Sequence, residues 1–354
     1  MTSQTLALPM NFSLRLLEKG LLPDWLIRFG IRRLLKERLR EEDRGSLEAQ
    51  QAHLMKFIGR LKLSAVAVNT AEANQQHYEV PSEFFEKVLG PHLKYSCAYF
   101  RNPGDSLAEA EASMLALTCE RAALKDGEHI LELGCGWGSL TLWMAEHYPK
   151  SRIVAVSNSR TQKRFIESRA SERGLHNIEV ITCDVNTLSF PAGTAFDRVV
   201  SVEMFEHMRN YETLMRRIAG WLKSEGTLFV HIFTHQRFAY PFEVRDESDW
   251  MAKYFFTGGI MPSDDLLLYF QDDLSLQEHW QVDGTHYGRT AEAWLKNMDL
   301  NAGAIEPLFQ RTYGAEAKRF TQYWRVFFMA CAELWNHAAG REWLVSHYLF
   351  RKAR

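Results

Sequence analysis

Apolar positions recur at three- and four-residue spacing from Phe12 to Leu63 (Leu14, Leu17, Leu21, then Trp25, Leu26, Phe29, Leu34, Leu35). That period predicts helix, with a break and restart at Pro23 and Asp24. From His77 to Phe100 aromatics crowd the chain, and Ser106 to Leu124 reads as a long helix. A regular alternation follows. Strands are predicted at HILEL (129–133), RIVAVS (152–157), IEVITC (178–183), DRVVSVEMF (197–205) and GTLFVHIF (226–233). Helices are predicted between them at Ser139–His147, Thr161–Arg173 and Tyr211–Leu222. LSLQEHWQV (274–282) and WLVSHYLF (343–350) read as a final strand pair with helices between. Strands rich in Val, Ile and Leu that alternate with helices predict an α/β fold, with a doubly wound, mostly parallel seven-stranded sheet. Between Thr234 and Met261 the regularity stops for longer than an ordinary connector, which suggests a cover over a site, spanning about 234–290. The expected division is an N-terminal helical region, 1–75, and a main domain, 76–354.

Composition narrows the classes. The chain has 354 residues and 46% hydrophobic content, enough for one α/β domain and an accessory region. A net charge of -2 gives no global reason to expect nucleic acid or an anionic membrane. Arg28, Arg32, Arg33, Lys36, Arg38 and Arg40 do cluster. Interleaved Glu37, Glu41, Glu42 and Asp43 favour a solvated helix face over a membrane-resting one. Peripheral membrane contact and a homodimer both stay open. The five cysteines are odd in number and contain no C-x-x-C pair, which argues against a disulfide framework or a metal knuckle and for a reducing cytosol. No metal is expected, and no leader segment is read at the N-terminus.

The strongest local signal is LELGCGWGSL (131–140), where a strand runs into Gly134, Gly136 and Gly138 and then a helix. Glycines let a ligand approach the backbone, and the helix start offers free N–H groups to a carboxylate or phosphate. A nicotinamide site would show G-x-G-x-x-G and an acid at the end of the second strand. Here the spacing is G-x-G-x-G, and the second strand ends in Ser157, Asn158 and Ser159. Asn158 and Gln162 can bond ribose hydroxyls, while Asp184 and Val185 suit the amine and the face of an adenine. The layout suits S-adenosylmethionine, although Asp184 alone could be a helix cap.

The stretches HYEVPSEFFEKVLGPHLKYSCAYF, LELGCGWGSLTL, SVEMFEHMRNYE, DWMAKYFFTGGIMPS and LLLYFQDDLSL occur in this order from about Tyr78 onward. They resemble the coclaurine N-methyltransferases, a family within the cyclopropane fatty acid synthase and mycolic acid methyltransferase group of class I, Rossmann-like methyltransferases. The resemblance implies that Tyr95 and Ser96 contact S-adenosylmethionine beside Gly134, Gly136, Asn158, Gln162, Asp184 and Val185. It also implies that the acceptor is a small aryl-alkyl or alkaloid-like amine. Such an amine titrates near ~10.4 in its free form, so a site must hold a cation and then take its proton. Glu203, Glu206 and His207 end the fourth strand, the edge where doubly wound sheets bind ligands. By resemblance Glu206 and His207 are base and substrate anchor, with Glu203 a supporting carboxylate. Tyr78 and Glu79 are expected near the amine, and Tyr240, Phe242, Trp250, Phe255, Phe256 and Trp324 are candidates for a flat aromatic pocket.

The same group contains cyclopropane synthases acting on unsaturated phospholipid. By resemblance these hold bicarbonate near positions matching Cys97, Glu206, His231 and Tyr287, so His231 and Tyr287 are also candidate substrate-side residues. The TGGIMPS and QDDLSL stretches favour the amine. A remoter alternative, a protein that binds the cofactor without turnover, does not need the Glu206–His207 set.

Overall fold

The computed structural model describes residues 10–68, 80–243 and 254–353. Its strands are β1 (His129–Leu133), β2 (Arg152–Ser157), β3 (Ile178–Thr182), β4 (Phe196–Val202), β5 (Leu222–His235), β6 (Tyr240–Pro241), β7 (Ile260–Met261), β8 (Leu274–Val282) and β9 (Trp343–Lys352). Seven of them form one sheet in the order β3-β2-β1-β4-β5-β9-β8. β1 to β5 run parallel, and β9 is antiparallel to both its neighbours. β6 and β7 make a separate small antiparallel pair.

The sheet is covered on both faces, as the near-continuous apolar strands require. On one face Leu131, Val154 and Val199 pack with Tyr211, Leu214 and Ile218 of the helix Tyr211–Trp221. On the other, Ile130, Ile153 and Val200 meet Leu115 and Cys119 of the helix Leu107–Arg121, and Leu140 and Met144 of the helix Ser139–His147. The N-terminal region belongs to this core. Leu54, Phe57, Ile58 and Leu61 of the helix Leu47–Lys62 join the first face. Burying a side chain such as Phe57 contributes about 1.5–3 kcal/mol.

Four expectations need correction. The helical N-terminus breaks a second time, at Asp43–Ser46, where the Ser46 hydroxyl accepts a hydrogen bond from the Ala49 N–H and starts a new helix. β4 ends at Val202, three residues early, because Glu203 adopts φ +47° and turns the chain into a short helical turn, Phe205–His207. β5 begins four residues early, at Leu222. The basic cluster on the helix Asp24–Glu42 also differs from a free solvated face. Arg28 pairs with Glu292 (2.6 Å) and Glu333 (3.1 Å), and Arg32 with Glu333 (3.0 Å), so the helix is clamped to the C-terminal helices. No described helix is long and apolar enough to cross a membrane.

Candidate active site

β1 lies between β2 and β4, and the chain leaves it in one direction and returns on the other side. This is the switch point at which open α/β sheets hold ligands. The Gly134–Gly138 turn follows β1, and Glu203 follows β4. Gly134 has φ +83°, and a Cβ there would lie 2.7 Å from Met204 Cβ. Glycine therefore lets the two strand ends close together. Gly136 faces open space instead, on the wall of a cavity of about 940 Å³. The helix Ser139–His147 begins without a side-chain cap, and the buried Ser139 Oγ has no hydrogen-bond partner among the described residues. Glycine backbone, uncapped helix start and orphaned hydroxyl fit the carboxylate end of an amino-acid-bearing cofactor.

Tyr95, Ser96, Gly134, Gly136, Asn158, Gln162, Asp184 and Val185 all line this cavity. Gln162 is fixed by its Oε1, which accepts from Ser157 Oγ at 2.6 Å. Asp184 Oδ1 accepts from the Asn186 N–H at 2.7 Å, so part of its role is to hold its own turn. Two buried charged residues on the cavity wall escaped the sequence reading. Glu132, two positions before Gly134, is buried, and burial pushes its carboxyl up to about 7 against a hydrogen bond from Thr141. Lys94, next to Tyr95, is a buried cation whose ammonium donates to Ser96 Oγ; burial lowers its pKa. Their signal was only adjacency to recognised motifs.

At the β4 end two carboxyls have opposite surroundings. Glu203 accepts from Tyr287 Oη (2.6 Å), the Cys97 N–H (3.1 Å) and His231 Nε2 (3.2 Å). Burial raises its pKa, while Lys94, Tyr287 and the Cys97 N–H oppose that rise. Glu206 is 1% exposed, and its Oε2 has no hydrogen-bond partner among the described residues. Burial, with the neighbouring Glu203 charge added, raises the Glu206 pKa well above the usual carboxylate range. His207 stacks on Phe256, ring centroids 5.8 Å apart and 4° from parallel. Burial holds His231 well below its ordinary pKa, so its contact with Glu203 is a hydrogen bond from a neutral ring rather than an ion pair.

Glu203, Glu206, His207 and Tyr287 reach the cavity with Tyr240, Phe242 and Phe256. His231 and Cys97 do not. They are fully buried behind Glu203, because its carboxylate takes the Cys97 N–H and His231 Nε2 bonds. Phe255 and Trp324 pack in the apolar core rather than on the cavity wall. Tyr78, Glu79 and Trp250 lie outside the described residues. Leu26, Phe29, Gly30 and Leu34 bring the N-terminal helix Asp24–Glu42 into the cavity's mouth, a role for which the sequence carried no signal beyond its apolar stripe.

The mycolic acid cyclopropane synthetase family model matches residues 67–340. The chain is 43% identical to (S)-coclaurine N-methyltransferase of Thalictrum flavum subsp. glaucum, over 96% of this chain and 95% of that one. It is 31% identical to the cyclopropane-fatty-acyl-phospholipid synthase of Escherichia coli strain K12, over 73% of this chain and 63% of that one. A crystal structure of coclaurine N-methyltransferase bound to N-methylheliamine and SAH superposes with a TM-score of 0.93 at 40% identity, covering 97% of this chain and 99% of that one.

Proposed function

The chain belongs to the mycolic acid cyclopropane synthetase family, and on that premise we propose that it is an S-adenosylmethionine-dependent N-methyltransferase for a small alkaloid-like amine, with Glu206 as proton acceptor. The observation that carries the assignment is the half-satisfied, buried carboxyl of Glu206 opening into an aromatic-walled cavity. An uncompensated buried carboxyl is costly to keep in a fold. It is repaired when an ammonium enters.

S-adenosylmethionine supplies an electrophilic methyl when bound. Gly134, Gly136, Ser139, Asn158, Gln162, Asp184 and Val185 are the residues to hold it. The protein's own task is to deliver a neutral nitrogen. Glu206 accepts the ammonium proton at Oε2, the oxygen with no hydrogen-bond partner among the described residues. Its raised pKa narrows the gap to the amine's own, which eases that transfer. Glu203 is met by three donors that favour its ionised form, so it stabilises the cationic group. His207, steadied on Phe256, anchors the substrate from the cavity side. Tyr78 and Glu79 remain candidates for the same aromatic and acidic enclosure.

The donor set that by resemblance would hold bicarbonate is here already closed on Glu203. Cys97 N–H, His231 and Tyr287 all donate to its carboxylate. That supports the amine reading over the lipid one. We take the helical region 1–75 as a lid-side extension of the transferase domain 76–354. The cysteines Cys97, Cys119, Cys135, Cys183 and Cys331 are all unpaired, which supports the cytosolic expectation.

The test is methyl transfer from labelled S-adenosylmethionine, against a panel of aryl-alkyl and cyclic amines and, separately, unsaturated phospholipid vesicles. Label is expected in the amines. Label in the lipid pool alone overturns the assignment.

A further inference from the structure

His231 and His347 face each other across the β5–β9 pair, in register and both fully buried. Behind them stands Arg121, the last residue of the helix Leu107–Arg121, half-buried with its guanidinium 5.0 Å over the Trp280 ring of β8. Arg121 Nη1 lies 2.8 Å from His347 Nδ1. His347 Nε2 lies 2.8 Å from His231 Nδ1, and His231 Nε2 lies 3.2 Å from Glu203 Oε1. Three contacts in series thus join the sheet's outer edge to the site carboxylate.

The direction of this series is set by chemistry. A guanidinium only donates, and it stays protonated in proteins. His347 Nδ1 must therefore accept. A neutral imidazole that accepts at one nitrogen carries its proton on the other. His347 is then the Nε2–H tautomer and donates to His231 Nδ1. The same step makes His231 the Nε2–H tautomer, donating to Glu203. Burial, with Lys94 and Arg121 nearby, holds both rings neutral.

The reverse order is equally well bonded in itself. It would need a protonated Glu203 donating to His231, His231 donating to His347, and His347 turning an N–H outward. Only the arginine excludes it, because two N–H groups would then face each other. The remaining groups around the chain do not choose an order. Lys94, Tyr287 and the Cys97 N–H favour an ionised Glu203 while burial opposes it, and the Glu203 charge in turn raises the Glu206 carboxyl and the buried Cys97 and Cys331 thiols. His279 and the Phe229 ring edge face His347 without bonding the contested nitrogens.

We propose that Arg121 and His347 are positioning residues for the transfer reaction: they order a one-way hydrogen-bond chain that delivers the His231 Nε2 proton to Glu203 and keeps that carboxylate ionised beside the amine. The chain cannot serve as a proton exit, since its outer end accepts nothing. The proposal rests on the N-methyltransferase reading, and it adds residues that touch neither cofactor nor substrate.

The test uses the full-length chain labelled with 15N-histidine. Two-bond 1H–15N correlations report which ring nitrogen is protonated, with the two rings assigned through His231→Gln and His347→Gln. Both rings are expected as neutral Nε2–H tautomers. Arg121→Leu is expected to shift His347 toward Nδ1–H and to lower kcat by roughly 10- to 100-fold, the usual cost of losing an outer orienting partner. KM for the cofactor should hold. Arg121→Lys, which also only donates, should restore both the tautomer and kcat. An Nδ1–H or doubly protonated ring in the wild type overturns the proposal, even if no Arg121 variant folds. So does an Arg121→Leu enzyme with wild-type kcat, or a Lys variant that restores the tautomer but not the rate. Wrong tautomers in an amine-methylating enzyme sink this proposal alone. Correct tautomers in a chain that methylates no amine sink the functional reading, and the proposal with it.

Discussion

Replacing Glu206 by Gln should slow the enzyme and stabilise it. The substitution keeps side-chain shape in a position that is 1% exposed, so no cavity opens. It removes the proton-accepting oxygen. A positioned general base contributes about 10²–10⁴ in rate, or about 2.7–5.5 kcal/mol of barrier, and kcat for amine methylation should fall by that factor. The stability effect has the opposite sign. Glu206 Oε2 has no partner among the described residues, and burial with the Glu203 charge raises its pKa well above the usual range. A carboxyl raised in the folded state gives stability that is fully present at low pH and is lost as pH climbs through the folded pKa. A neutral amide has no such loss. Urea unfolding without cofactor should find the two proteins alike below about pH 4 and the variant ahead by about 1–2 kcal/mol at pH 8, within the usual penalty for an unsatisfied buried group. Rate from labelled methyl transfer at saturating amine completes the measurement. A structural Glu206 would behave otherwise: the variant would lose stability and activity together. That result, or wild-type turnover, would refute the assignment.

Asp184→Ala should weaken S-adenosylhomocysteine binding by about 10- to 100-fold, the worth of a hydrogen bond to a charged group. Asp184→Asn, which keeps the bond from the Asn186 N–H, controls for the turn, and unchanged calorimetric affinity would remove Asp184 from the site. Gly134→Ala should cost about 2–5 kcal/mol, combining a left-handed backbone with a Cβ forced onto Met204; an unfolding loss below ~1 kcal/mol would mean the turn gives way cheaply. Glu111 is fully buried, accepts from the Gly90 and His92 N–H groups, and is pushed up to about 7 chiefly by burial. The wild type should lose up to about 3 kcal/mol relative to Glu111→Gln as pH rises from below 4.5 through 7; a pH-independent difference between them would contradict the assigned cause.

The sheet was legible because its inner strands are buried and rich in Val, Ile and Leu, while the helices between them keep the helical period. Errors fell where a single residue overrides that pattern. SVEMF continues an apolar run, yet Glu203 takes a positive φ and stops β4 three residues short. Asp43–Ser46 breaks the N-terminal helix by side-chain capping, which periodicity cannot register. Gly134, Gly136, Asn158, Gln162, Asp184 and Val185 were readable from the glycine spacing and strand ends, since each sits within a few positions of its strand, whereas Tyr95 and Ser96, far from any strand, came from the family resemblance alone. The Arg121–His347–His231–Glu203 series was not. His231 and His347 are 116 positions apart and meet only through the register of β5 on β9. Nothing local to either residue marks the other.

Two carboxyls three positions apart on one strand end would, in like surroundings, share a proton and blur their roles. This fold separates them. The positive φ at Glu203 turns its side chain back among donors from Cys97, His231 and Tyr287, so its charge is met from three elements of the chain. The helical turn that follows carries Glu206 to the cavity, where one oxygen meets no donor among the described residues. Each reinforces the other's state: the ionised Glu203 makes Glu206 a stronger base, and once Glu206 has taken the ammonium proton Glu203 is left as the anion facing the methylated cation. Exchanging these roles should therefore be harder than removing either. A Tyr287→Phe variant, short of one donor to Glu203, should raise the Glu203 pKa and narrow the gap between the pair. Its pH–rate profile should broaden into two overlapping ionisations where the wild type has one. A Tyr287→Phe profile that keeps a single limb would show that the phenol does not help to keep the two carboxyls apart.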